Sequence, residues 1–283
     1  YHKICPEVPI WVGGPEVSYE TEAFLKEHPQ VTGVMVGEGE ETFLELCESY
    51  AKAGIGEMAE KMNLLGIKGI MYRAGESLVK TGAREPLDLN RIPFCYGGVE
   101  DFRNRIIYYE SSRGCPFRCS YCLSSVEKTL RFRDVERVKK ELAFFLEQEV
   151  AQVKFVDRTF NCRHEHAMEI WKFLIEHDNG VTNFHFEISA DLLTDEEIAL
   201  IGQMRPGLIQ LEIGVQSTND ATITEIHRTM QLDRLKAVVR SIQEKENIHE
   251  HLDLIAGLPY EGYETFARSF DEIYALKPNQ LQL

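Results

Sequence analysis

Three cysteines, Cys115, Cys119 and Cys122, follow one another at C-x3-C-x2-C spacing, just after Ser111-Ser112-Arg113-Gly114. Three thiolates on one tight loop can hold three corners of an iron–sulfur cube, which leaves the fourth iron open to a substrate. A structural zinc ion would ask for a fourth Cys or His at short spacing, usually as two C-x2-C pairs. The next cysteine downstream, Cys162, stands forty residues on. Zinc and buried thiols are the alternatives on spacing alone. Two carboxylates also stand out: Glu187 in Phe186-Glu187-Ile188 and Glu212 in Leu211-Glu212-Ile213 lie inside otherwise apolar runs. A charge there is costly unless paired, so each demands a cation, either a ligand's ammonium group or a neighbouring Arg. Arg228 offers a guanidinium, which suits a carboxylate through two parallel hydrogen bonds; a helix-surface role is its commoner alternative. Asp157-Arg158-Thr159-Phe160-Asn161 reads as a turn with an Asp–Arg surface pair. His164 and His166, close to Cys162, do not share a helix face, so a solvated helix terminus is expected there rather than a metal site.

The cysteines leave an apolar run, Ile106–Tyr109, that reads as a strand. From about residue 105 the pattern is strand then helix, five times, with a sixth strand at the end. The expected strands are Ile106–Tyr109, Val153–Val156, Phe184–Ile188, Leu208–Ile213, Leu252–Ile255 and Leu281–Leu283. Helix-period segments separate them, at Val135–Glu147, His166–Glu176, Asp195–Gln203, Leu232–Glu244 and Tyr263–Ala275. Thr194-Asp195-Glu196-Glu197 is a helix start, with a cap residue and acids in the first turn. The class is α/β, and repeated βα units imply a parallel barrel or partial barrel whose working face is the carboxyl ends of its strands. Glu187, Gln216 and Asp253 fall near such ends.

Residues 1 to about 60 hold two further strand–helix units, the grammar of an open Rossmann-like parallel sheet. Val8–Val12 ends in Gly13-Gly14, and Val31–Val36 ends in Gly37-Glu38-Gly39. The helix over Glu40–Ala53 is expected to carry Phe43, Leu44 and Cys47 on one face. Gly13, Gly14, Gly37 and Gly39 serve tight strand-to-helix turns. A dinucleotide site is excluded, because the full G-x-G-x-x-G spacing is missing and Glu38 and Glu40 would repel a pyrophosphate. Ile67–Lys80 reads as a β-hairpin and Pro86–Pro93 as a linker, placing the domains at 1–98 and 99–283. Cys95 is an incidental thiol.

A length of 283 residues with 43% hydrophobic and 27% charged residues is that of an ordinary globular protein. The net charge of −15 argues against a nucleic-acid surface. No apolar run reaches the length of a membrane span, and there is no signal-peptide pattern. Seven unevenly spread cysteines suit a reducing cytosol, hence a cytoplasmic location, better than a disulfide framework.

The stretch C-x3-C-x-Tyr121-C after a first strand resembles the signature of radical S-adenosylmethionine (radical SAM) enzymes. The resemblance covers about residues 100–283, and the six strands fit that family's six-stranded partial (β/α)6 barrel. It implies a 4Fe-4S cluster on Cys115, Cys119 and Cys122, with S-adenosylmethionine on the fourth iron and Tyr121 near its adenine. By the same resemblance, residues 157–161 hold the methionine amino group and Glu187 meets the ammonium. Gln216 in Gly214-Val215-Gln216-Ser217 contacts the ribose, as in oxygen-independent coproporphyrinogen oxidases. Arg228, twelve residues on, takes the methionine carboxylate. Asp253 accepts from the ribose hydroxyls and Ile255 packs on adenine. The expected activity is reductive cleavage of S-adenosylmethionine to a 5′-deoxyadenosyl radical, with an electron donor such as flavodoxin or ferredoxin. The substrate is small-molecule or cofactor-like, with no membrane partner.

Val12-Gly13-Gly14-Pro15 and Val36-Gly37-Glu38-Gly39 resemble the second half of the cobalamin-binding domain that precedes the barrel in one radical SAM subclass. There such glycines let the backbone approach the cobalamin nucleotide tail, and methyl transfer through cobalt becomes available. The Asp-x-His-x-x-Gly loop of many relatives is missing, and His2 has the wrong surroundings to replace it. Either the chain begins inside that domain or cobalamin binding is vestigial. Two alternatives stand beside this reading: a non-enzymatic zinc or iron–sulfur protein, and a tRNA-modifying radical SAM enzyme.

Overall fold

The computed structural model describes residues 1–53, 63–97, 105–126 and 129–283. The chain divides into two compact units, Tyr1–Ile92 and Pro93–Leu283. The expected boundary at 98–99 lies outside the described residues.

The first unit runs β1 (Trp11–Gly13), α1 (Pro15–Ser18), α2 (Thr21–Glu27), β2 (Gly33–Met35), α3 (Glu40–Ala53), β3 (Ile70–Ala74) and β4 (Ser77–Lys80). β1 and β2 pair in parallel, as two strand–helix units should. The hairpin β3–β4 then joins the edge of β2 antiparallel, giving the order β1-β2-β3-β4. The two strand–helix units are parallel and the hairpin lies where expected; because it joins the same sheet, the sheet as a whole is mixed. The physical reason is that β2 would otherwise expose a ladder edge, while Ile70, Met71 and Tyr72 of β3 are apolar enough to bury against it.

The predicted face of α3 is also corrected. Phe43 and Leu44 are 58% and 57% exposed, and Cys47 is exposed. The buried residues are instead Thr42 and Leu46, one turn apart. Leu46 packs with Leu64, Ile67, Ile70 and Tyr72. The Thr42 hydroxyl donates to Lys68 O (3.3 Å) and accepts from Arg84 Nε (2.9 Å). Arg84 pairs with Glu41 and Glu45 on the same helix, which fixes its rotation.

The second unit runs β5 (Ile106–Tyr109), β6 (Ser112–Arg113), β7 (Arg131–Phe132), α4 (Val135–Glu147), β8 (Gln152–Phe155), α5 (His164–Glu176), β9 (Asn183–Ile188), α6 (Asp195–Ile201), β10 (Ile209–Gln216), α7 (Asp220–Glu225), α8 (Leu232–Gln243), β11 (His249–Leu254), α9 (Tyr263–Tyr274) and β12 (Gln280–Gln282). β5, β8, β9, β10, β11 and β12 form one six-stranded parallel sheet in chain order. Each strand follows the last through a helix, the short route by which parallel neighbours are connected.

Side chains alternate across this sheet. β10 shows it most fully, with Ile209, Leu211, Ile213 and Val215 buried and Gln210, Glu212, Gly214 and Gln216 between them. Phe155, Phe186, Phe160 and Trp171 pack on the apolar side, with ring centroids 4.5 Å (155–186), 4.3 Å (160–186) and 6.2 Å (171–186) apart. The opposite side bears Lys154, His185, Glu187, Glu212, His251 and Asp253. At the start of α6, Thr194 and Glu197 form a reciprocal capping box.

The region of His164 and His166 is corrected in part. His166 is buried, with Nε2 3.1 Å from Ser111 Oγ, and His164 Nδ1 lies 3.0 Å from the buried Glu197. His164 is thus exposed at the helix start, as expected, while His166, two residues on, turns inward beneath Ser111.

Candidate functional site

The cysteine loop hangs between β6 and β7, a two-rung antiparallel ladder pairing Ser112 with Phe132 and Arg113 with Arg131. Gly114 opens the loop at φ +100°, and a Cβ there would lie 2.6 Å from Thr129 O, so only glycine fits. The far side of the loop is tied down by Ser120 N–H, which donates to Ile226 O at 2.9 Å. Cys115, Cys119 and Cys122 are all free thiols, and Cys119 is buried.

These three cysteines and Tyr121 line one cleft at the carboxyl ends of the parallel strands. Glu187, Gln216, Arg228 and Asp253 line the same cleft. Its free space is about 830 Å3, open mouth included. Residues separated by up to 138 positions, Cys115 to Asp253, are therefore brought to one place by the strand ends. Ile255 is not among the lining residues; its N–H donates to Gln216 O at 3.0 Å. Among the described residues no three His, Cys, Asp or Glu side chains form a group that could hold a single metal ion. A cubane asks each thiolate for a separate iron.

Gln216 sits at φ +72°, where the pairing of β10 with β11 slips between Gly214 and Gln216. Such a bulge re-aims a side chain, and the Gln216 Oε1 atom is buried without a partner. A Cβ on Gly214 would meet Gln216 Nε2 at 2.4 Å, so glycine makes the room.

Arg228 lies between α7 and α8, not on a helix surface. Its guanidinium donates to Gly214 O and, at 3.3 Å, to Tyr121 Oη, and reaches Cys119 Sγ at 4.0 Å. Its Nε is buried and unpartnered. Burial raises the Tyr121 hydroxyl to about 12, against the pull of Arg228.

The cations that meet Glu212 come from neighbouring strands, whereas Glu187 feels the neighbouring Arg158 ahead of Lys154. Lys154 Nζ and His185 Nε2 each lie 2.9 Å from Glu212 Oε2. Gln210 faces the other ring nitrogen of His185 at 2.8 Å. His185 first, with Lys154, pulls the Glu212 carboxyl down to about 2. Lys154 is 4.0 Å from Glu187, too far for a hydrogen bond. Burial, then the fixed charge of Glu212, raises Glu187. The same two causes and Glu187 bring Asp253 to about 7. His251 Nε2 approaches Asp253 Oδ1 to 3.1 Å without the alignment of a hydrogen bond, and both atoms lack partners.

Asp157 is not an exposed turn residue either. It is fully buried and accepts from Ser111 N (2.9 Å), Ser111 Oγ (2.6 Å) and Ser112 Oγ (2.6 Å). Burial raises its carboxyl to about 6. Lys154, His185 and Asp157 were not singled out as partners in the sequence. Period-two spacing within β8 and β9 was the available signal for the first two.

This donor set suits a ligand with an ammonium, a carboxylate and hydroxyls. Three carboxylates and two guanidiniums, those of Arg158 and Arg228, line the cleft, with open hydrogen-bonding capacity at Gln216, Arg228 and Asp253. Three thiols beside them suit an iron–sulfur cluster.

In the first unit, Gly14 (φ +105°) and Gly37 (φ +82°) stand at the ends of β1 and β2. Ser18 Oγ joins them, donating to Gly14 O (2.7 Å) and accepting from Gly37 N (3.2 Å). A Cβ on Gly14, Gly37 or Gly39 would meet nothing within 4 Å, whereas one on Gly13 would touch Met35.

Comparison with known proteins agrees with this geometry. The model of the Radical SAM superfamily matches residues 109–273. The anaerobic magnesium-protoporphyrin IX monomethyl ester cyclase of Rubrivivax gelatinosus is 24% identical over 279 residues, covering 95% of this chain and 49% of that protein. The cobalamin-dependent radical SAM methyltransferase TokK of Streptomyces tokunonensis is 27% identical, over 92% of this chain and 40% of that one. The chain thus spans about half or less of the length of these relatives. The structure of the radical S-adenosylmethionine methyltransferase TsrM from Kitasatospora setae, with cobalamin and a [4Fe-4S] cluster bound, superimposes with a TM-score of 0.75. It covers 96% of this chain and 56% of that one at 17% identity, a likeness of fold alone.

Proposed function

The chain belongs to the radical SAM superfamily, and from that premise we propose that it is an enzyme using a 4Fe-4S cluster and S-adenosylmethionine in one cleft. The observation that carries this reading is the meeting of three cysteines with Glu187, Gln216, Arg228 and Asp253 at the strand ends. Cys115, Cys119 and Cys122 hold the cluster. When bound, cluster and S-adenosylmethionine together supply one-electron reductive cleavage to a 5′-deoxyadenosyl radical.

The protein's own part is binding and orientation. Arg228 takes the methionine carboxylate with the Nε that the fold leaves unpartnered. Glu187 has no hydrogen-bonded cation and takes the ammonium. Glu212 is already neutralised by Lys154 and His185, so it sets the field rather than binding. Gln216 and Asp253 receive the ribose hydroxyls and Tyr121 flanks the adenine, while Ile255, which does not line the cleft, acts through its N–H on Gln216 O. The six-stranded parallel sheet is read as the partial (β/α)6 barrel of the family, and the first unit as part of a Rossmann-like domain.

Methyl transfer is the finer proposal. Open space at Gly14, Gly37 and Gly39 favours a cobalamin nucleotide tail, and relatives include cobalamin-dependent methyltransferases. These 283 residues offer no cobalt-ligating histidine in the expected loop, so binding is expected to be weak and base-off. Tight stoichiometric uptake of hydroxocobalamin would overturn that expectation. A small-molecule or cofactor-like substrate, a flavodoxin- or ferredoxin-type donor and a cytoplasmic setting complete the proposal.

The test is anaerobic reconstitution followed by reduction with dithionite in the presence of S-adenosylmethionine. Iron and sulfide near about four each per chain, with release of 5′-deoxyadenosine, are expected. A colourless protein holding one zinc would overturn the reading.

A further inference from the structure

The loop after β8, expected to hold the methionine amino group, carries two polar side chains, Asp157 and Thr159, whose contacts run to the cysteine loop and its root. Asp157 is buried, and all three of its hydrogen bonds come from Ser111 and Ser112. Ser111 gives its hydroxyl proton to Asp157, so its oxygen accepts from His166, whose Nε2 must then carry the proton. Arg133 N–H holds Ser111 O at 2.8 Å. The chain is thus fixed on every side immediately before Cys115.

Two residues past Asp157, Thr159 is buried and lines the cleft. Its Oγ1 lies 2.8 Å from Arg158 O and 3.7 Å from Cys115 Sγ. A hydroxyl has one proton to give. While Cys115 is a thiol it can donate to Thr159, whose own proton then goes to the Arg158 carbonyl. A sulfur that ligates iron has lost its proton. The contact then persists as a hydrogen bond only if Thr159 turns its proton to the sulfur, and bonds to ionised acceptors are the stronger ones.

We propose that this loop is the outer support of the cluster: Thr159 donates to the Cys115 sulfur once that sulfur is a ligand, and Asp157 holds the root of the cysteine loop where that bond can form. The inference rests on the reading that the three cysteines hold a cluster. Both are positioning residues. Hydrogen bonds to the sulfurs are one of the levers on a cluster's potential. A donor stabilises the more negative, reduced form, so Thr159 holds the potential above the value it would otherwise have.

The test uses the full chain, reconstituted anaerobically without S-adenosylmethionine. Iron and sulfide per chain, the midpoint potential followed by electron paramagnetic resonance, and cluster loss to a chelator are measured. Thr159→Val should keep full cluster content but show a lower midpoint potential, and Thr159→Ser should restore it. A Thr159→Val potential equal to that of the natural chain overturns the role of Thr159. Asp157→Asn should lose its cluster about tenfold faster or more, the scale on which outer supports act, with an unchanged circular dichroism spectrum. A natural rate of loss overturns its role. Should Asp157→Asn fail to fold, Ser112→Ala keeps the carboxylate and removes one of three donors, and a rate above that of the natural chain is expected; no increase overturns the anchor. A natural chain that takes up neither iron nor sulfide overturns the cluster reading and this proposal with it. Unchanged variants of a loaded chain overturn the proposal alone.

Discussion

The two faces of the six-stranded sheet are built from the same strands and obey different rules. Toward the helices, Phe155, Phe184, Phe186, Leu211, Ile213 and Leu252 are fully buried. The other face has Lys154, His185, Glu187, Glu212, His251 and Asp253, with orphaned polar atoms among them. Closed barrels fill that interior with Val, Ile and Leu. One face supplies the packing; the other pairs Glu212 with Lys154 and His185 but leaves Gln216 Oε1 and Asp253 Oδ1 without partners. Substitutions on the two should therefore fail differently, one in unfolding and the other in binding.

The largest effect is expected at the loop above the polar face. Cys119→Ala should abolish the 4Fe-4S absorption after reconstitution while changing the melting temperature little, since the loop lies outside the helix-side core. A full cluster spectrum in that variant would remove Cys119 as a ligand. On the apolar face, Phe186→Ala should cost about 3–5 kcal/mol in urea unfolding, because its ring packs on Phe155, Phe160 and Trp171. A loss below about 1 kcal/mol would mean the aromatic cluster is not the core it looks to be.

Glu250 tests the comparison from within, because it is a carboxyl on the apolar face. It is fully buried, both oxygens lack partners, and burial raises its pKa to about 7. The folded chain thus keeps a proton that the unfolded chain releases near 4.5. Stability should fall as pH rises from about 4.5 to 7 and then level off, by about 3 kcal/mol at most for this group. Glu250→Gln should flatten that part of the profile, and an unaltered slope in urea melts across pH would show that Glu250 titrates normally.

The smallest effect sharpens the polar face. On the proposed binding mode, Arg228→Ala removes a charge-assisted contact to the ligand's carboxylate, worth roughly 1.5–3 kcal/mol. Calorimetry should show S-adenosylmethionine binding weakened about tenfold to a hundredfold. Since Arg228 also touches Tyr121 and Cys119, faster cluster loss should accompany the weaker binding. An unchanged dissociation constant would take Arg228 out of the ligand site.

The order of strands and helices was legible in the sequence, because their periods are local properties, whereas the two faces were not, since Glu187 and Glu212 read as charges inside apolar runs. The cysteine loop was legible too, its spacing being itself the signal. The partners of Glu212 were not, because Lys154 and His185 lie on other strands and meet it only through the register. β6 and β7 are two residues each, too short for any period to show. The face of α3 was misread because Phe43 and Leu44 look like core, whereas Thr42 turns inward through Lys68 and Arg84. His166 and Asp157 were read as solvated because the hydroxyls that satisfy them, on Ser111 and Ser112, sit more than forty residues away.

The clamp of Arg228 on Cys119 and Tyr121 joins positions 109 and 107 residues apart, and Ser120 N–H leans on Ile226 O in the same region. Closing so long a loop is entropically unfavourable until the intervening strands have paired. During synthesis the three cysteines therefore leave the ribosome well before the segment that holds them. For that interval they are exposed, mobile thiols, open to oxidation or to the wrong metal. On the proposed cluster reading, maturation is expected to run in order: sheet first, clamp second, cluster last.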